Sequence, residues 1–237
     1  MLNLILGNLS PQLLLMRLLA VVVALTFHEA AHGLVSHWLG DRTAKYQGRI
    51  SLNPTRHIDP MGMVLIILFG FGWAKPVMVN PFNLRRPKRD MALISAAGPV
   101  SNFLMAFVVM LLAYPLFFVI GDGGMMDAVH NIMYFNGTMQ AASVRGFAFA
   151  FLGVLFSINI VLGVFNLIPI PPLDGSKIVG VFLPNRLYFR FTNFRYGMWI
   201  LIILIVTNAL GVIITPFFAA LYNGMYQVAR FIYRPFF

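Results

Sequence analysis

Apolar residues gather in four long runs, 11–39, 91–120, 147–168 and 196–222, and polar residues are confined almost entirely to the segments between them. Each run is long enough to cross a bilayer as a helix. The first starts at Ser10-Pro11, a hydroxyl cap followed by proline at the first helical position, and stops at Gly40. At 1.5 Å per residue it reaches roughly 40 Å. The next segment, "DRTAKYQGRISLNPTRHIDP" at 41–60, is polar and basic, and its extended look around "GRISLNP" predicts a short strand or hairpin.

Residues 61–73, "MGMVLIILFGFGW", are apolar but short for a crossing, and Lys and Arg flank them on both sides. That arrangement predicts a re-entrant or membrane-dipping element, with a thin or tilted span as the alternative. Asn208, Gly211, Thr215 and Pro216 are candidate kinks in the last run. The tail from residue 223 interleaves basic and aromatic residues in the manner of a helix lying on headgroups. The predicted fold class is an all-α polytopic membrane protein with about four full transmembrane helices, a re-entrant or short apolar segment and a small β-hairpin-like insertion. We read 1–237 as a single domain, with its core at about 11–180 and a C-terminal helix and interfacial tail at 196–237.

Composition supports the membrane reading. Of 237 residues, 59% are hydrophobic and 10% charged, with a mean hydropathy of +0.82, outside the range of soluble domains. The net charge of +10 raises the question of nucleic acid, but the basic residues sit in short segments between apolar runs. This is the positive-inside pattern of cytoplasmic loops, and no nucleic-acid-binding motif accompanies it. The charge bias puts the end of the 11–39 helix inside, runs the 91–120 span outward and returns the 147–168 span inward. Arg230 and Arg234 fit that topology poorly. Cysteine is absent, which removes disulfides and thiolate sites. The first residues lack a basic n-region and a cleavage site, so no removed signal peptide is expected.

Against this background "HEAAH" at 28–32 stands out. His28 and His32 are four apart, so a helix stacks them on one face and lets them offer two imidazole nitrogens to one cation. Glu29 lies about 100° round the helix, where its carboxylate could act as general base toward a water on the metal without being a ligand. A chance pattern of polar packing residues is the alternative, but titratable groups inside a span are costly and usually face a partner or an aqueous cavity. A catalytic zinc site needs a third protein ligand. Among the other acids and histidines, His37, His57, His130, Asp41, Asp59, Asp90, Asp122 and Asp127 lie in or near polar segments. Asp174 differs because it follows a full span within "NLIPIPPLDGSK", where prolines force an extended path. Alone it reads as a turn or helix cap; together with the histidines, which share its inner end of the bundle, it is the best third ligand.

"HEAAH" in a membrane helix, "AAGPVSN" at 96–102 and "NLIPIPPLDG" at 166–175 together resemble the site-2 protease family of intramembrane zinc metalloproteases, over most of residues 11–180. "GRISLNP", "HIDP" and "GWAKPV" at 48–54, 57–60 and 72–77 are similar to its smaller branch, which lacks a PDZ domain. The resemblance implies cleavage of membrane-spanning or membrane-associated protein substrates by one Zn2+ per chain, held by His28, His32 and Asp174, with Glu29 as base. It puts Asn102 near the active site, contacting substrate or oxyanion, or else packing between helices. Asn166 would orient the ligand loop or satisfy backbone that the prolines leave unpaired. With no PDZ module expected, substrate selection would rest on the membrane domain or a partner. The implied location is a multi-pass protein of a prokaryotic cytoplasmic membrane with its active site toward the cytoplasm. The competing class is a non-catalytic zinc-binding membrane protein, a metal carrier or a client-binding relative, which would need the ligands but not Glu29.

Overall fold

The computed structural model of the protein describes residues 11–69, 72–120, 144–192 and 196–236. Three long helices form its centre: α1 (Pro11–Trp38), then, beyond a short helix α2 (Thr43–Tyr46) and a helix α3 (Pro60–Phe69), the helices α4 (Pro87–Ile120) and α5 (Val144–Leu167). These three pack pairwise, and the short α6 (Asp174–Gly180) seats against α4. The chain ends through α7 (Asn185–Thr192), α8 (Gly197–Val206) and α9 (Ala209–Tyr233).

Small side chains make the close packing possible. Ala20, Ala24, Ala106, Ala113 and Ala150 are buried where α1, α4 and α5 meet, and larger residues such as Val154, Phe156 and Ile160 fill between them. Helices in lipid gain nothing from hiding leucine, so association rests on such close backbone approach. The outward stripe Leu104, Val108 and Leu112 of α4 is accordingly exposed. Four described helices, Pro11–Trp38, Pro87–Leu116, Ala150–Leu167 and Ala209–Tyr233, are long and apolar enough to cross a membrane, matching the expected number.

Two expectations need correction. Among the described residues there is no strand, so the β-hairpin-like insertion at 41–60 is not formed. Turn chemistry wins there: the Asp41 carboxylate accepts from the amide and hydroxyl of Thr43 and starts α2, while Asn53 accepts from Thr55 and starts the 3-10 turn Pro54–Arg56. The stretch between finds no partner strand. The last apolar run, expected to be one kinked helix, is instead two, broken at Asn208, which adopts left-handed φ 58°. Pro216 lies inside α9 without ending it. That helix runs on to Tyr233, through the first part of the tail that begins at residue 223.

The short apolar segment forms the ten-residue α3, about 15 Å long and half of a hydrocarbon core. A Cβ on Gly62 would collide with the backbone of Trp73. The chain therefore doubles back against the first turn of α3, and residues 72–80 then run without regular structure toward α1. Three amides hold that stretch: Lys75 donates to the His57 carbonyl at 2.8 Å, Val77 to Glu29 Oε2 at 3.0 Å and Asn80 to Asp41 Oδ2 at 2.8 Å.

Candidate metal centre

The helical spacing of His28 and His32 stacks both rings on the buried face of α1, at 4% and 8% exposure. Their planes are nearly perpendicular and their Nε2 atoms lie 3.0 Å apart. Asp174 reaches them from α6. After α5 the chain passes through Pro171-Pro172, joined by a cis peptide, and extended Leu173, which delivers Asp174 Oδ2 to 3.3 Å from His28 Nε2 and 3.2 Å from His32 Nε2. Its other oxygen lies 3.9 Å from Lys177 Nζ. Gly98 of α4 closes the remaining side: a Cβ there would fall 2.5 Å from both His28 Cε1 and His32 Nε2.

The outer nitrogens of both rings fix what the inner ones present. His32 Nδ1 is 2.7 Å from the Ile94 carbonyl, a pure acceptor, so this nitrogen carries a proton and the Nε2 of the neutral ring offers a lone pair. His28 Nδ1 is 2.7 Å from Asn102 Oδ1 and is set the same way. Two lone pairs and a carboxylate oxygen thus converge on one point, an arrangement that requires positive charge, either a proton or a metal ion, between them. The separations of 3.0, 3.3 and 3.2 Å are close to the edge of a zinc tetrahedron, about 3.3 Å for bonds of about 2.0 Å. Among the described residues, these three are the group of His, Asp and Glu side chains whose ligand atoms could hold a metal ion. The donor set fits zinc.

Glu29 stands beside this group, half-buried, with Oε2 accepting from the Val77 amide. Asn102 is fully buried behind His28. Its oxygen meets the ring, and its amide donates to Asn159 Oδ1 at 2.9 Å and to the Ala24 carbonyl at 3.3 Å. Asn102 thus lies next to the candidate metal group and ties α1, α4 and α5 together there. Asn166 donates to the Leu162 carbonyl of its own helix. Sequence reasoning passed over Asn159 and the space-making role of Gly98. An amide in the middle of the apolar "LFSINIVLG" was the available signal for Asn159, since a polar group there has to find partners.

The alternative third ligands lie elsewhere. His57 Nε2 bonds the Ser51 carbonyl, Asp59 receives the Gly62 amide and Asp90 the Arg86 amide. Asp122, Asp127 and His130 fall outside the described residues. Asp41 is a structural hub: Ser36, Thr43, Asn80 and Asn83 all donate to it. Burial alone would raise its pKa, but the hydrogen bonds from Asn83, Thr43 and Asn80 outweigh that and hold the carboxyl at about 2.

The chain is similar to known proteins over most of its length. The family model described as Peptidase family M50 matches residues 16–207. A Bacillus subtilis protein named "Putative zinc metalloprotease YwhC" is 33% identical over 218 residues, 92% of each chain. A Methanocaldococcus jannaschii protein named "Putative zinc metalloprotease MJ0611" is 27% identical over 73% of each chain. No solved structure matches the chain.

Proposed function

The chain belongs to peptidase family M50, and from that membership we propose that it is an intramembrane zinc metalloprotease acting on membrane-spanning or membrane-associated protein substrates. The observation that carries the reading is the meeting of His28 Nε2, His32 Nε2 and Asp174 Oδ2 within 3.0–3.3 Å. In this reading the three hold one zinc ion. Zinc bound there supplies Lewis acidity toward a peptide carbonyl and brings the pKa of water toward neutrality.

Glu29 is the general base. It takes a proton from the water whose oxygen attacks the carbonyl carbon, and returns it to the nitrogen as the C–N bond breaks, leaving a carboxylic acid, which keeps the water's second proton, and an amine. The Val77 amide keeps one of its oxygens oriented and leaves the other for this transfer. A helical substrate must unwind before its carbonyl is reachable, and unwound backbone is costly in lipid. The non-helical residues 72–80, next to the base, are a better candidate for receiving it than the "GRISLNP" stretch, by backbone pairing of the strand-addition kind.

The inner ends of α1, α4 and α6 share one end of the bundle with Arg42, Lys45, Arg85, Arg86, Arg89 and Lys177. By the positive-inside rule this reading turns that end toward the cytoplasm. The Glu29→Gln variant is expected to retain zinc while cleavage of a single-span substrate falls at least about a hundredfold. Undiminished cleavage would exclude the base assignment, and zinc binding without cleavage by the wild type would point to the non-catalytic class.

A further inference from the structure

Resting on the zinc reading above, we propose that Asn159 is a positioning residue that, through Asn102, locks His28 in the tautomer able to bind the metal. The relay runs from one backbone atom to the ring. The Leu155 carbonyl can only accept, and Asn159 Nδ2 donates to it at 2.8 Å, so Asn159 Oδ1 must face the other way. There it accepts from Asn102 Nδ2 at 2.9 Å. With its amide nitrogen so engaged, Asn102 turns Oδ1 toward His28 Nδ1 at 2.7 Å. An oxygen there demands a proton on Nδ1, and the Nε2 of the neutral ring is left as a lone pair.

The competing arrangement shows what the relay prevents. Were Asn102 turned over, its Nδ2 would donate to His28 Nδ1, and the proton of the neutral ring would sit on Nε2. That proton would point at His32 Nε2, 3.0 Å away, where the Ile94 carbonyl keeps a lone pair. The two imidazoles would then hydrogen-bond each other and no longer offer two lone pairs to one ion. Asn102 has another anchor, the Ala24 carbonyl, but at 3.3 Å it is the longer contact, so the orientation depends chiefly on Asn159. Both asparagines are fully buried, so water is not on hand to replace a lost partner. Partners beyond the ligands commonly fix ring orientation and metal affinity in this manner.

The full chain, purified in detergent with 15N-labelled histidine, tests this in two ways: tautomer state from two-bond 1H–15N correlations of the metal-free protein, and zinc affinity by competition with a chelating dye. Wild type is expected to hold His28 as the Nδ1–H tautomer. Asn159→Leu is expected to bring in the Nε2–H tautomer and weaken zinc binding about tenfold. Asn159→Asp keeps an acceptor facing Asn102, so it is expected to retain the wild-type tautomer and most of the affinity, a rescue that a purely structural role does not predict. Unchanged tautomer in Asn159→Leu overturns the proposal, whether or not affinity falls, and leaves the zinc reading standing. If that variant does not fold, a tautomer change in Asn159→Asp overturns the proposal equally. A wild type whose zinc binding is indifferent to loss of His28 overturns the zinc reading itself.

Discussion

Gly98 is the residue on which the tightness of the metal group depends. A methyl there would have to displace an imidazole, since α4 and α1 are locked together around it. Gly98→Ala is expected to cost about 1–3 kcal/mol by overpacking and to weaken zinc binding more than it lowers the melting temperature of the metal-free protein. Paired zinc titration and thermal denaturation separate the two effects. Asp41 acts on stability rather than chemistry. Its folded pKa of about 2 lies below the unfolded value of about 3.9, so its contribution is fully present above the unfolded value and is lost as pH falls through 2. Asp41→Ala strips the acceptor from Thr43, Asn80 and Asn83 and is expected to cost about 3 kcal/mol. Wild type should lose stability between about pH 4 and 2, and the variant should be flatter over that window; denaturant titrations at several pH values check this. At this scale the ligands were readable because helix periodicity fixes the relation of His28 to His32, and prolines isolate Asp174. Asn159 and the role of Gly98 were not, because their meaning lies in which neighbouring helix they face.

Among the elements, the non-helical residues 72–80 form the connection on which the base depends. They are pinned at Lys75, Val77 and Asn80 and steered by the close approach of Trp73 to Gly62. Gly62→Val is expected to push this stretch off Glu29 and lower cleavage at least about tenfold, a loss of about 1.4 kcal/mol or more in transition-state stabilisation. Zinc content should not change, because none of the three ligands is touched; metal analysis beside a cleavage assay checks both halves. The missing strand at 41–60 has a general cause. An extended look in sequence says nothing of a partner, and without one the Asp41 and Asn53 turns prevail. The break at Asn208 is a local matter: four possible breakers stood in one run, and the left-handed position went to Asn208, a residue type that tolerates it.

For the whole molecule, the order of apolar runs and the clustering of basic residues at one end were enough to bring the end of α1 and the start of α6 together on paper. What distributed charge could not supply was distance. Two spans joined by a proline-rich turn can meet at many separations, and only packing through Ala20, Ala24 and Ala106 draws α1 close enough to the others for three ligand atoms to meet. The outward stripe of α4 stays apolar, as a bilayer requires, while one set of buried polar groups, His28, His32, Asn102, Asn159 and Asp174, gathers at the metal group and its supports. Metal loading should therefore stabilise the assembled bundle, since zinc would bind the folded arrangement of three separated segments and not the dispersed chain.

The most direct measurement is zinc stoichiometry by equilibrium dialysis on the purified wild type and on the Asp174→Ala variant. One ion per chain in the wild type, lost or weakened by orders of magnitude in the variant, is the expected result. Equal zinc affinity in the two proteins would contradict the account at its centre.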